Sequence, residues 1–230
     1  MGQHILPGNP PLAVTLRQSA RARRISLRVS GLDGKVTLTI PRGVREGEAL
    51  DFAREKEAWL RTQLSQRAAP ILVGEGVSLP VDGIPRRIVM AGGRTVRLTG
   101  DEVLVGGAPD TAGARLQAWL KQRARGRLAA ASDVYAAELG VRFDRLTLRD
   151  TRSRWGSCSA RGGLMYSWRL VLAPPEVLDY VAAHEVAHLR EMNHSPAFWS
   201  VVAQLCPGYE APRRWLRENG AALHRYRFGN

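Results

Sequence analysis

A change of hydrophobic period near the middle of the chain constrains its fold more than any other feature. Apolar and polar residues alternate in LAVTLRQ, RRISLRVS and KVTLTIPRG. Alternation places every second side chain on one face, which is the pattern of a strand with one buried side. Asp33-Gly34 lies between the second and third of these runs, and Asp82-Gly83 lies inside VSLPVDGIPRRIVM. Both pairs suit tight hairpins. Two more short strands are expected in TVRLTG and EVLVGG. One helix interrupts the strands, EGEALDFAREKEAWLRTQLSQRA, with Leu50, Ala53, Glu57, Leu60 and Leu64 on one stripe.

Beyond the turn-rich GGAPDTAG the period becomes helical. ARLQAWLKQRARGRLAAASDVYAAELG reads as a long amphipathic helix stopped at Gly140. FDRLTLRD reads as a strand, TRSRWGSCSARGG as a basic loop and LMYSWRLVLA as another strand. Pro175 suits the first turn of a helix running from Glu176 to about Glu191. Ser195 and Pro196 form an N-cap and N1 pair opening a helix to about Leu205, and a last helix covers about Glu210 to Leu223. The expected fold class is α+β. A β-rich module with one helix would cover residues 1–110, and an α-rich domain residues 111–230.

The chain has 230 residues, 44% hydrophobic and 24% charged, enough to bury a core without covalent staples. Its net charge is +13, carried by 31 Arg and 3 Lys. That balance favours anionic partners, nucleic acid among them, without choosing one, and a solvated basic surface has the same composition. Cys158 and Cys206 are far apart, which argues against a disulfide framework and for a reducing, cytoplasmic setting. No apolar run reaches the roughly 20 residues of a membrane span. The first residues, broken by Pro7, Pro10 and Pro11, do not read as a signal peptide.

The chemistry concentrates in AAHEVAHLREMNHSPAFW, which holds three of the five histidines. His184 and His188 are four apart, so a helix puts them on one face, one turn apart. Glu185 is one position round, where a carboxylate can face a metal's water without ligating the metal. This is the H-E-x-x-H arrangement of zinc peptidases. Val177 and Val181 share the stripe, and an inward-facing histidine is more often a hydrogen-bonded core residue than a ligand. Two histidines and a glutamate on a buried face nevertheless need partners, and a metal is one. His194 follows the expected helix end and precedes the Ser195-Pro196 start, so a turn there can return it to the same ion. Three protein ligands leave the fourth tetrahedral position to water, as at a catalytic zinc. Glu210 and Glu218 are competing third ligands. The metzincin pattern requires Gly at position 191, where this chain has Glu191. Cys158 is expected to be structural, and Trp155 and Trp168 to be packing residues.

RSRWGSCSARGGLMYSWRLVLAPPEVLDYVAAHEVAHLREMNHSPAFWSVV resembles the YgjP-like metallopeptidase family, a zincin group related to SprT-like proteins. ARRISLRVSGLDGKVTLTIPRG is similar to that family's start. The resemblance implies a minimal zincin catalytic domain of helices and strands behind a β-rich module. It implies Zn2+ held by His184, His188 and His194, with Glu185 as general base. The developing oxyanion would then need a second electrophile, for which Arg154 and Tyr166 are available. LMYSWRLVL would be the edge strand that holds an extended peptide.

The expected function is zinc-dependent hydrolysis of a peptide or protein substrate. Two alternatives accompany it. A metal-dependent nucleoside triphosphate (UTP) pyrophosphatase could use Arg149, Arg152, Arg154, Arg161 and Arg169 for phosphates. A DNA-associated SprT-like protease could use Arg115, Lys121, Arg123, Arg125 and Arg127 to track a nucleic-acid backbone.

Overall fold

A computed structural model describes residues 2–31, 33–65 and 69–229. The chain forms two compact units, residues 1–69 and 70–230.

In the first unit, β1 (Gln3–Leu6), β2 (Leu12–Gln18), β3 (Ser26–Val29) and β4 (Val36–Ile40) form a sheet in the order β1-β2-β4-β3. β2 and β4 are parallel, and the outer pairings are antiparallel. The alternation read from the sequence is realised: Leu12, Val14 and Leu16 on β2, and Val36, Leu38 and Ile40 on β4, are buried. The β3–β4 hairpin forms as expected, with Gly34 at φ 70°; Leu32 of that turn lies outside the described residues. The expected single helix is two, α1 (Glu46–Glu55) and α2 (Glu57–Ser65), and the rest of its predicted span, 66–68, lies outside the described residues. Lys56 leaves helical geometry at φ −94°, ψ 9°. The break re-aims the apolar stripe, so that Ala49, Ala53 and Leu60 join one core with the sheet.

The second unit begins with β5 (Ile71–Leu72), which pairs in parallel with β13 (Tyr226–Arg227) near the other end of the chain. β6 (Ser78–Val81), β7 (Ile84–Ala91), β8 (Val96–Leu98) and β9 (Glu102–Gly106) form a sheet in the order β6-β7-β9-β8. Asp82 and Gly83 both take positive φ (53° and 76°), as the tight β6–β7 turn requires. This sheet packs with the C-terminal helices. Leu79, Val81, Ile88, Val103 and Val105 share a core with Leu116, Leu120 and Leu128 of the long helix α3 (Ala112–Leu139). The division therefore falls between Ala69 and Pro70, and the expected boundary near residue 110 cuts through a common core. Gly140, at φ 66°, stops α3 as the sequence predicts.

After α3 come β10 (Arg145–Arg149), β11 (Gly156–Cys158) and β12 (Gly163–Ser167). Their order is β10-β12-β11, with β10 parallel and β11 antiparallel to β12. The expectation for LMYSWRLVL is corrected here. Its first part is the middle strand β12, and Trp168–Leu172 is a 3-10 turn. All five residues of that turn are buried, which a strand with alternating faces would not do. The Asp82 and Gly83 N–H groups donate to the Val171 and Leu172 carbonyls (2.8 and 3.3 Å) and hold the turn. The free edge nearest the histidines belongs to β11.

Three helices complete the unit, α4 (Pro175–Ala187), α5 (Pro196–Leu205) and α6 (Glu210–Leu223). α4 is shorter than expected. Its last turn tightens, with Leu189 N–H donating to Val186 O (2.9 Å), and residues 188–190 form a turn.

Candidate metal centre

His184 lies in the last turn of α4, and His188 is its C-cap, still right-handed at φ −66°, ψ −18°. The one-turn spacing of the two imidazoles therefore survives the early end of the helix. His194 precedes Ser195, the N-cap of α5, whose Oγ accepts from the Phe198 N–H at 3.4 Å. Asn193 Oδ1 accepts from the Ser195 N–H at 3.1 Å. These local bonds turn the chain sharply and bring His194 back over α4.

The ligating atoms of His184, His188 and His194 all lie within 4.8 Å of one another. His184 Nε2 and His194 Nε2 are 3.1 Å apart, close to the separation of two nitrogens that share a zinc at about 2.0–2.1 Å each. His188 Nδ1 sits 2.9 Å from the Glu191 carbonyl and donates to it, so its Nε2 presents a lone pair. The Phe198 ring, fully buried, packs against all three imidazoles at centroid distances of 4.4–4.9 Å. Burial, then the neighbouring His188, His194 and Arg213, push the His184 pKa down to about 3. Burial likewise lowers that of His188. The imidazoles of His184 and His188 are thus held neutral, the form that binds metal. The donor set and its convergence fit one zinc ion. Glu210 and Glu218, the competing third ligands, are exposed on α6 and not in this cluster.

Glu185 is 5% exposed and lies against β11. A Cβ at Gly156 would come within 2.6 Å of Glu185 Cγ, so only glycine lets the carboxylate rest there. Burial pushes the Glu185 pKa up to about 8, against the lowering effects of the Arg154 charge and the Cys158 N–H that donates to the carboxylate. Three residues of RWGSCS have distinct places beside the site. Trp155 packs on His224 (centroids 5.0 Å) and on Gly220, Gly156 seats Glu185, and Cys158 supplies the N–H. The Cys158 thiol is pushed up to about 11 by burial and then by Glu185, so it stays protonated and is no nucleophile.

Gly156, Ser157, Cys158 and Met192 complete the wall of the pocket around His184, Glu185, His188 and His194. The expected electrophiles separate. Arg154 is exposed, and its charge reaches Glu185. Tyr166 is fully buried, and its hydroxyl is held by Ser132 Oγ at 3.0 Å. It points into the core and does not line the pocket. Its expected role is corrected accordingly. Phe198 and Gly156 carry no chemical signature in the sequence; both act by packing.

Helix, turn and β-strand thus bring together three imidazoles and a glutamate in the manner of a zinc metallopeptidase-type hydrolase. The model of the YgjP-like metallopeptidase domain matches residues 23–219. The chain belongs to the YgjP-like metallopeptidase family. A comparison with curated proteins gives no match. Among solved structures, the chain is similar to the metallopeptidase zymogen of Pyrococcus abyssi abylysin. The likeness has 20% identity over 40% of this chain and 93% of that one, with a TM-score of 0.36. No helix among the described residues is long and apolar enough to cross a membrane.

Proposed function

We propose that the protein cleaves peptide bonds in extended polypeptide, with Glu185 as general base and Arg154 as the group that meets the developing oxyanion. The observation that carries this reading is the contact of Glu185 with the free edge of β11, through Gly156 and the Cys158 N–H. An unpaired strand edge beside a general base can hold a substrate backbone by strand addition. His184, His188 and His194 would hold the zinc, which when bound would supply Lewis acidity and a water that is nucleophilic near neutral pH. Glu185 takes a proton from the attacking water at its carboxylate and returns it to the leaving amine. Arg154 offers guanidinium N–H groups to negative charge at the carbonyl oxygen.

The triphosphate reading gains no comparable support. Arg169, one of its expected phosphate ligands, is buried and held by four hydrogen bonds. It donates to Asp150 Oδ1 and Oδ2 (2.6 and 3.0 Å) and to the Leu223 and Tyr226 carbonyls (both 3.0 Å). The nucleic-acid reading loses two of its five basic residues, because Arg123 and Arg127 are both paired with Asp82. The two free cysteines support a reducing, cytoplasmic setting.

The test is proteolysis of unfolded casein, followed as new amino termini, with Glu185→Gln beside the wild type. The variant is expected to keep its zinc and lose at least about 100-fold in rate. Undiminished turnover overturns the general-base role. His194→Ala is expected to lower the zinc content measured by elemental analysis. Unchanged stoichiometry would move the third ligand elsewhere.

A further inference from the structure

A trough of about 590 Å³ lies over the β10-β12-β11 sheet. It adjoins the metal pocket, because Ser157 stands on the wall of both. Three guanidinium groups reach it, from Arg145, Arg149 and Arg154, together with the hydroxyls of Ser153 and Ser157. Among the described residues, no acidic side chain lines it. Among the described residues, the ion pair of Arg145 is an exposed contact with Asp144 at 3.9 Å, which is worth little in water. The positive charge continues past Arg149 into a second cavity of about 490 Å³, where Lys121 and Arg125 of α3 are on the wall. The Asp150 carboxylate on that wall is committed to Arg169.

We propose that this trough is the subsite for acidic peptide segments: Asp or Glu side chains flanking the bond to be cut are held by Arg145 and Arg149. The proposal rests on the peptidase reading above and names its substrate class. A guanidinium grips a carboxylate through paired N–H groups, and arginine supplies all three cations of the first cavity. A single nucleic-acid strand is the competing occupant for any basic trough. Such strands are bound by stacking bases on exposed aromatic rings as well as by charge. Among the described residues, the first cavity has no aromatic ring on its wall, and the one ring of the second, Trp168, is 1% exposed. The surface therefore matches carboxylates on a peptide better than bases on a strand.

Binding and turnover are measured separately. Fluorescence anisotropy of labelled peptides of equal length, one acidic and one neutral, is read on full-length Glu185→Gln at fixed salt. The acidic peptide is expected to bind about ten-fold tighter. The advantage should vanish in Arg145→Glu/Arg149→Glu, which should favour a lysine-containing peptide instead. Arg145→Gln/Arg149→Gln gives the same test if the reversal does not fold. Equal binding of the two peptides, or an unchanged preference in the double variants, overturns the proposal. So does tighter binding of a single-stranded oligonucleotide that depends on the same arginines. In the turnover arm, the otherwise wild-type double variant should lose kcat/KM on the acidic peptide and keep it on the neutral one. Acidic-peptide binding that depends on these arginines, with no cleavage by the wild type, sinks the peptidase reading and upholds the trough's ligand class.

Discussion

A methyl group at position 156 would fall within 2.6 Å of Glu185 Cγ and 2.7 Å of its Cδ. The constraint is purely one of space, since Gly156 does not have the positive φ that alanine resists. Gly156→Ala should therefore fold and bind zinc, but displace the carboxylate from the Cys158 N–H. A shift of about 1 Å in a reacting group can cost about 100-fold in rate, and a kcat loss of that order is expected at unchanged zinc content. Full activity in this variant would show that the seat is not needed. At this scale the sequence is legible where a residue type announces its chemistry. Helical spacing places His184, Glu185 and His188, and the Ser195-Pro196 start places His194. Gly156 and Phe198 stay hidden, because their work is to fit against groups brought near by folding. Tyr166 misleads for the same reason: a phenol before the zinc helix looks available until Ser132 is seen to hold it.

Just before β11, the half-buried Trp155 ring packs on the buried His224 at the end of α6. Burial, then Arg169, hold the His224 pKa down at about 4, against the opposing pull of Asp150. The unfolded chain takes up a proton at His224 below about 6.5, the folded chain only near 4. His224 therefore contributes full stability above 6.5 and loses it as the pH falls toward 4. Asp150 acts in a lower window. Burial would raise its pKa, but the Arg169 hydrogen bond and charge outweigh that and lower it from 3.8, so its contribution is present above that value and fades below it. His224→Phe should flatten the stability profile between pH 6.5 and 4 in urea unfolding, and an unaltered slope would assign it to other groups. Elements with a local signal are legible in the sequence: the alternating strands, the Asp-Gly turns and the Gly140 stop. The break at Lys56, the early end of α4 and the central position of β12 are not. Each is decided by what the segment packs or pairs with, and β12 in particular reads like an edge strand until β10 and β11 are both found beside it.

The whole chain divides at Ala69–Pro70, and each unit has its own buried core. The three histidines that can hold zinc all belong to residues 70–230. Pro70 opens a segment that closes on itself, with Ile71 and Leu72 paired to Tyr226 and Arg227. That segment is expected to fold and bind zinc when expressed alone. The division also has a calorimetric consequence. An ion that binds only the native form of one unit raises the melting temperature of that unit by mass action. A heating scan should show two transitions, with a chelator lowering one and leaving the other in place. The stationary transition then serves as an internal thermometer for the loss of metal. A single transition that moves as a whole would mean that the two units melt together.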